Sequence, residues 1–426
     1  MIADSKGIKM YKLSALGGNQ MKRFSKFFAL ALVVCLMFTL CACGGGNQDK
    51  PQDVKKITIF QQKAEIADQL KELAAAYTKE TGVEVEVWAQ AGDDYYTNLK
   101  TSLSSESGPS LFTLNSDAEI TEVKDYLADL SGVPFVKDMG SGVLAVRDGR
   151  TVGVAMTAEG FGLVYNKSLV DPAELTGTDA LVAMMEKNGK ELTTLGLSQE
   201  SYFLAGHMFN FPFALQSDPV DFCAKLMAGE VKLADVPEFQ QYAKILSAIR
   251  ANQVNPIEVT YDNNCGDFAT GKTAMIHQGN WAYGVISHFD TDFEMGVTGL
   301  PINGNSKICV GVPSVWAVNA DASEEEQQLA KDFLQWLYTS ETGVDYMMNK
   351  FGLLPVLSSM KSENMDPLSA AVAEAIAAGD TLPWTFNTEW PAGIIDTELA
   401  PITEQFFTSD MSEAEYLEAI NAAFLK

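Results

Sequence analysis

The stretch 266–281, GDFATGKTAMIHQGNW, admits two readings that lead to different folds. In the first it is a phosphate loop. Gly266, Gly271, Lys272 and Thr273 match G-x-x-x-x-G-K-[ST], whose backbone N–H groups wrap phosphates while the lysine neutralises them. In the second, Gly271 and Lys272 turn the chain, Ala274, Met275 and Ile276 form a short buried strand, and Gly279 and Asn280 deliver Trp281 to a surface. A phosphate loop needs a helix to begin at its Lys-Thr, because the helix N-terminus supplies part of the anion field. Here Gly279 follows Thr273 by six residues, no stripe of helical period starts there, and no second strand ends in an aspartate placed for magnesium. The flanking sequence favours turn, strand and aromatic.

Toward the N-terminus, Ile57, Thr58, Ile59 and Phe60 read as a strand. Ile66, Leu70, Leu73, Ala74 and Tyr77 then recur at helical spacing before Gly82, and Val83, Val85 and Val87 alternate as a second strand. Strand, helix, strand predicts a parallel sheet with helices on its faces. Ligands of such sheets bind beyond the carboxyl ends of the strands. That rule points to the loop 61–65 and to 115–119, which follows the apolar run 111–114. Residues 152–156 and 163–165 are short apolar runs joined by small residues, a pattern that suits a crossing between domains. Helix faces are legible in Phe239, Tyr242, Ile245, Leu246 and Ile249, in Leu329, Phe333 and Leu337 after a capping box at Ser323 and Glu326, and in Leu417, Ile420 and Phe424.

The chain has 426 residues and a net charge of −26. Residues 22–26 are basic, 27–40 are apolar, and Leu40-Cys41-Ala42-Cys43 closes the run before three glycines. This is an export signal, too short for a resident membrane span, and it begins cleanly at Met21 after an extension of residues 1–20. Residues 40–43 resemble a bacterial lipobox, which implies cleavage before Cys43, acylation of its sulfur, and a lipid anchor in the membrane. Residues 43–53 then read as a tether. Without residues 1–42 the remaining 384 residues carry 24 cationic and 55 acidic side chains, a net −31. That length predicts two domains, and that charge argues against a nucleic-acid partner, whose phosphates need clustered cations. Cys223, Cys265 and Cys309 form no C-x-x-C and read as buried thiols; His207, His277 and His288 form no H-x-x-x-H pair. No metal or cofactor is expected.

Several stretches resemble the carbohydrate solute-binding proteins of bacterial ABC importers, of the maltose/maltodextrin-binding type. They are Tyr77-Thr78-Lys79-Glu80-Thr81-Gly82-Val83, Gly108-Pro109-Ser110-Leu111-Phe112, Tyr165-Asn166-Lys167, Gln199-Glu200-Ser201-Tyr202-Phe203, residues 268–281 running on to Gly296-Val297-Thr298-Gly299-Leu300-Pro301, and Ala330-Lys331-Asp332-Phe333-Leu334. The resemblance implies an α/β fold of the type II periplasmic-binding-protein kind, with two lobes, three hinge crossings and a ligand cleft between them. It places the crossings near Glu159, near Gly311 and at Leu353 to Pro355. Lobe one would be 54–158 plus 312–352, and lobe two 159–311 plus 353–426. It also implies a monomer that delivers an oligosaccharide, maltodextrin first, to the permease subunits.

A sugar presents hydroxyls at its rim and C–H groups on its faces, so its receptor needs flat aromatics together with carboxylates or amides. The resemblance assigns Trp281 as the main stacking platform, Tyr202 and Glu200 as an aromatic–carboxylate pair, and Glu159 and Asp117 as ligand carboxylates. It places a further stacking tryptophan in the loop holding Trp384 and Trp390, with Trp390 preferred. Glu65 lies in the first ligand-facing loop. Trp88, Trp316 and Trp336 are expected in the cores. The chain departs from the family pattern at Ser110, at Leu114 and in Gln62-Lys63-Ala64-Glu65, so the grip of lobe one differs. Two other classes of function remain open at this point: a receptor for a different sugar or a non-sugar solute, and a secreted glycosidase using Glu159 and Glu200 as acid and nucleophile.

Overall fold

The computed structural model describes residues 55–90, 94–105, 107–362 and 364–426. The expectations for the signal, for acylated Cys43 and for the tether lie outside them. Twelve strands are found among the described residues: β1 (Lys56–Gln61), β2 (Glu84–Ala89), β3 (Leu111–Leu114), β4 (Leu144–Arg147), β5 (Arg150–Ala155), β6 (Glu159–Asn166), β7 (Thr193–Gly196), β8 (Thr273–Gly279), β9 (Met295–Thr298), β10 (Ile308–Gly311), β11 (Val315–Val318) and β12 (Thr381–Pro383).

They form two sheets. The first has the order β2-β1-β3-β11-β5-β4 and the second β12-β10-β6-β8-β7, with β9 also paired to β6. The expected strand–helix–strand unit opens the first sheet. Leu70, Leu73, Ala74 and Tyr77 bury one face of the helix Ala67–Thr81. Gly82 ends that helix at φ 77°, a left-handed cap that suits a residue without a Cβ, and β2 then returns parallel to β1. Trp316 is buried in this core with Phe333 and Leu337. Trp88 and Trp336, expected in the core, are only half-buried: each sits near a rim, where its indole N–H reaches Glu86 or Glu80.

The stretch 266–281 adopts the second reading. The helix Tyr261–Ala269 ends, Gly271 turns at φ 74°, and β8 runs fully buried from Thr273 to Gly279. Lys272 pairs with Asp267 at 2.9 Å at the surface. Gly160 and Gly162 are part of β6 and not of a loop: a Cβ on Gly162 would stand 2.2 Å from the Thr298 carbonyl oxygen, and one on Gly160 would meet Val372 at 2.7 Å.

Three passages join the lobes. β5 leads into β6 through 156–158, and β10 into β11 through 312–314. The third follows the first lobe's last helices. Val356, Leu357 and Met360 still pack in the first core, whereas the helix Pro367–Ala378 packs on the second sheet. The passages are tied to one another. The Met156 N–H donates to the Ser314 carbonyl at 3.0 Å, and the Leu354 N–H donates to the Thr157 hydroxyl oxygen at 2.9 Å. Cys223, Cys265 and Cys309 are buried free thiols.

Candidate ligand-binding cleft

The site begins where β6 leaves the hinge. Glu159 and Phe161 are two residues apart on a strand, so their side chains share one face. That face carries a cluster of rings from three other segments. The first segment is the end of β8. Asn280 accepts from the Gly160 N–H at 3.0 Å through Oδ1 and fixes the turn, and the Trp281 indole N–H donates to Gln278 Oε1 at 2.9 Å. Gly279 must be glycine, because a Cβ there would lie 2.3 Å from the Trp281 ring.

The second segment is a wide helical turn over Tyr202–His207 that runs into the helix Met208–Ala214. Phe203 stacks near Trp281 at 6.1 Å and 18°, and the His207 ring stacks on Phe161 at 4.6 Å and 14°. Tyr202 keeps 37% of its surface exposed beside His207 and Phe386. The third segment is the loop after β12. Asn210, fully buried, accepts from the Thr385 N–H and hydroxyl at 2.8 and 2.6 Å and donates to the Pro383 carbonyl at 2.8 Å. Its amide therefore holds the loop that presents Trp384 and Phe386. Trp384 packs over Gly311, where a Cβ would meet the indole at 2.4 Å, and faces Phe161, His207 and Trp281.

Lobe one reaches this cluster through the loop after β1. Gln61 clasps the backbone of Lys63 in both directions, at 2.6 and 3.1 Å. The Lys63 ammonium then donates to Glu159 Oε1 at 2.6 Å, with side-chain exposures of 13% and 7%. This ion pair spans the two lobes. The short helix Asp117–Glu122 lies against Thr385–Thr388 of the aromatic loop. Its Asp117 is half exposed and paired with Arg147 at 2.5 Å. Its Glu119 is buried, accepts from the Asn115 N–H at 2.7 Å, and is pushed up to about 7, chiefly by that burial.

A model of the bacterial extracellular solute-binding proteins matches residues 72–378. The chain belongs to that family. Among curated proteins, the galactooligosaccharide-binding protein of Bacillus subtilis is 23% identical over 337 residues, 74% of this chain and 77% of that one. Among solved structures, the maltose/maltodextrin-binding domain MalE of Bdellovibrio bacteriovorus, bound to maltotriose, superposes with a TM-score of 0.68 at 18% identity, covering 87% of this chain and 98% of that one. A sugar transporter of Bacillus licheniformis in complex with stachyose gives 0.69 at 16% identity, covering 87% and 100%. These structures share the two-lobed α/β fold and its interlobe cleft.

Within this solute-binding protein, Trp281, Tyr202, Glu159 and Trp384 come together around Phe161 and His207, and Asp117 lies at the edge of the facing lobe. Trp390, the preferred tryptophan of its loop, does not join them. It is 3% exposed and packed between Phe213 and Phe424, because the helix Glu413–Ala423 brings the chain's end across it. Glu200 also departs from the expectation. Its Oε1 accepts the Tyr261 N–H at 2.8 Å, capping the helix Tyr261–Ala269, and it lines a recess with Gln199, Ser201, Ile257 and Glu404. A carboxylate at a helix N-terminus meets both unpaired N–H groups and the positive end of the helix dipole. The Glu65 side chain lies outside the described residues.

Sequence reasoning missed His207, Asn210 and Lys63. In the sequence His207 stands out only as a histidine without an H-x-x-x-H partner, and no group of side chains among the described residues could hold a metal ion. The available signal was Lys63 in a loop beyond a strand's carboxyl end. Nothing local marked His207 or Asn210. No described helix is long and apolar enough to cross a membrane.

The interlobe ion pair gives a direct test of closure. With Lys63→Met, the closed form would bury the Glu159 carboxylate with a desolvation cost that this ammonium no longer helps to offset. Opening rehydrates Glu159 and avoids that cost. The unliganded variant is therefore expected to show a larger radius of gyration in small-angle scattering than the parent protein. Superimposable scattering curves would show that the pair does not hold the lobes together.

Proposed function

We propose that this solute-binding protein captures an oligosaccharide between its lobes, with a maltodextrin-like chain favoured, and delivers it uncleaved to the permease of an ABC importer. In this reading it is a monomer held at the outer face of the membrane by lipid on Cys43. Lobe one is then 54–158 plus 312–352, and lobe two 159–311 plus the C-terminal remainder, except that Leu353, Val356, Leu357 and Met360 pack in the first core. The observation that carries the proposal is the group of rings from Trp281, Trp384, Phe386, Phe203 and Tyr202 beside the buried Glu159, at the junction of the lobes. Flat rings remove the sugar's C–H faces from water at ~25 cal/mol per Å². Charged acceptors contribute about 1.5–3 kcal/mol for each hydroxyl bound. Relatives named for galactooligosaccharide, maltotriose and stachyose support the class of ligand.

A glycosidase would need two carboxylates free to flank one bond. Here Glu159 is held by an ammonium and Glu200 caps a helix, so transport is the reading the geometry favours. Calorimetry against maltotriose, stachyose, a galactooligosaccharide and a peptide mixture tests it. Saturable binding of a saccharide with no reducing ends released over hours is the expected result. Binding of the peptides alone, or sugar cleavage, would overturn it.

A further inference from the structure

His207 is the ring that touches nearly every other ring of the cleft. It stacks on Phe161 and lies 5.2–5.9 Å from Phe386, Trp281, Phe203, Trp384 and Tyr202. It is 7% exposed, and its Nδ1 is buried with no hydrogen-bond partner. Trp384, 5.8 Å away, likewise buries its indole Nε1 without a partner. Burying a polar group without a hydrogen bond costs about 1–3 kcal/mol, and a phenyl ring would fill the same space without that cost. Two such groups side by side in one cluster call for a partner that the protein chain itself does not supply.

We propose that His207 is a hydroxyl-recognising residue of the binding cleft, with the Trp384 N–H as a second donor toward the same sugar ring. The inference rests on the oligosaccharide reading above. A neutral imidazole has one donor and one acceptor, and a sugar hydroxyl can both donate and accept, so one hydroxyl can satisfy the ring in either tautomer. Burial, with the nearby His277 and the Lys63 ammonium, holds the His207 imidazole neutral, while Glu159 is engaged by Lys63. The aromatic faces then set where the sugar lies, and the two ring nitrogens select which hydroxyls it presents.

The test compares His207→Phe, which keeps the ring and removes the nitrogens, with His207→Gln, which keeps a donor and an acceptor. Calorimetry with whichever of maltotriose, stachyose or galactooligosaccharide binds the parent protein is the readout. His207→Phe is expected to weaken binding at least tenfold while its unliganded melting temperature stays level or rises, and His207→Gln is expected to stay within about threefold of the parent. Parent-like affinity in His207→Phe, or equal losses in both variants, would overturn the proposal and leave the transport reading standing. If the parent protein binds none of the sugars, both fall together. Should His207→Phe fail to fold, ¹⁵N resonances of the parent's imidazole decide: a shift on saturation with sugar supports the contact, and unmoved ring nitrogens refute it.

Discussion

Replacing Trp281 by alanine is expected to weaken oligosaccharide binding about 100-fold. That loss is about 2.8 kcal/mol, equal to about 110 Å² of apolar contact at ~25 cal/mol per Å² and within the roughly 150–250 Å² that a tryptophan can bury. The consequence for thermal stability follows from mass action. At a sugar concentration 100 times the parent's Kd, the parent gains about 2.7 kcal/mol; the variant, now at its own Kd, gains about 0.4 kcal/mol. For a chain of this size the ligand-induced shift in Tm falls from roughly 3–4 °C to about half a degree. The ring also packs against Phe203 and His207, so the unliganded variant is itself expected to lose some stability, less than the about 3–5 kcal/mol of a fully buried tryptophan. Trp281→Phe separates the two effects by keeping an aromatic in the cluster. An undiminished sugar shift in Trp281→Ala would mean that the indole is a packing element and not a platform.

The second large effect concerns pH and sets two buried histidines against a buried carboxyl of opposite sign. Burial lowers His207, and it pushes His277 down to about 3. Each is neutral in the fold but binds a proton in the unfolded chain below about 6.5. Their contribution is therefore complete above that pH and is lost as pH falls, by about 2 kcal/mol at pH 5 for His277, with His207 acting in the same direction. Glu119 works the other way. With its folded value raised to about 7, its contribution is complete below the unfolded carboxylate range and is lost as pH rises toward 7. Between pH 7.5 and 5 it regains about 2 kcal/mol and opposes what the histidines lose. Glu119→Gln keeps an oxygen for the Asn115 N–H and removes the titration. The variant is expected to be about 3 kcal/mol more stable than the parent at pH 7.5, an advantage that shrinks to about 1 kcal/mol by pH 5. Urea unfolding at the two pH values measures both numbers. Parallel profiles for parent and variant would show that Glu119 titrates as an ordinary surface carboxylate.

Both predictions turn on residues whose legibility differed. Trp281 could be read from its surroundings, because Gly279 and Asn280 before it mark a strand end that turns a ring outward. Glu119 and the two histidines could not, because their pKa values come from burial by elements far away in the chain. The helix Ala67–Thr81, the strands β1 and β2 beside it and the buried run at β8 were all written in local apolar patterning, of period 3.6, of period 2 or continuous. That periodicity survives any detail of packing.

What the sequence by itself determined is therefore the strand–helix–strand opening of an α/β fold, a length for two domains, the rejection of a phosphate loop at Lys272, and the pool of rings and acids from which a cleft could be built. The tertiary structure alone decided which members of that pool meet. It sent Trp390 into the core beneath Phe424 and kept Trp384 over Gly311, two tryptophans six residues apart with nothing local to separate them. It turned Glu200 to cap a helix, paired Lys63 with Glu159 across 96 residues of chain, and set His207 at the centre of the rings. The physical reason is the same in each case. Secondary structure follows from interactions within a few residues, whereas burial and pairing depend on segments brought together only when the sheets pack and the lobes meet.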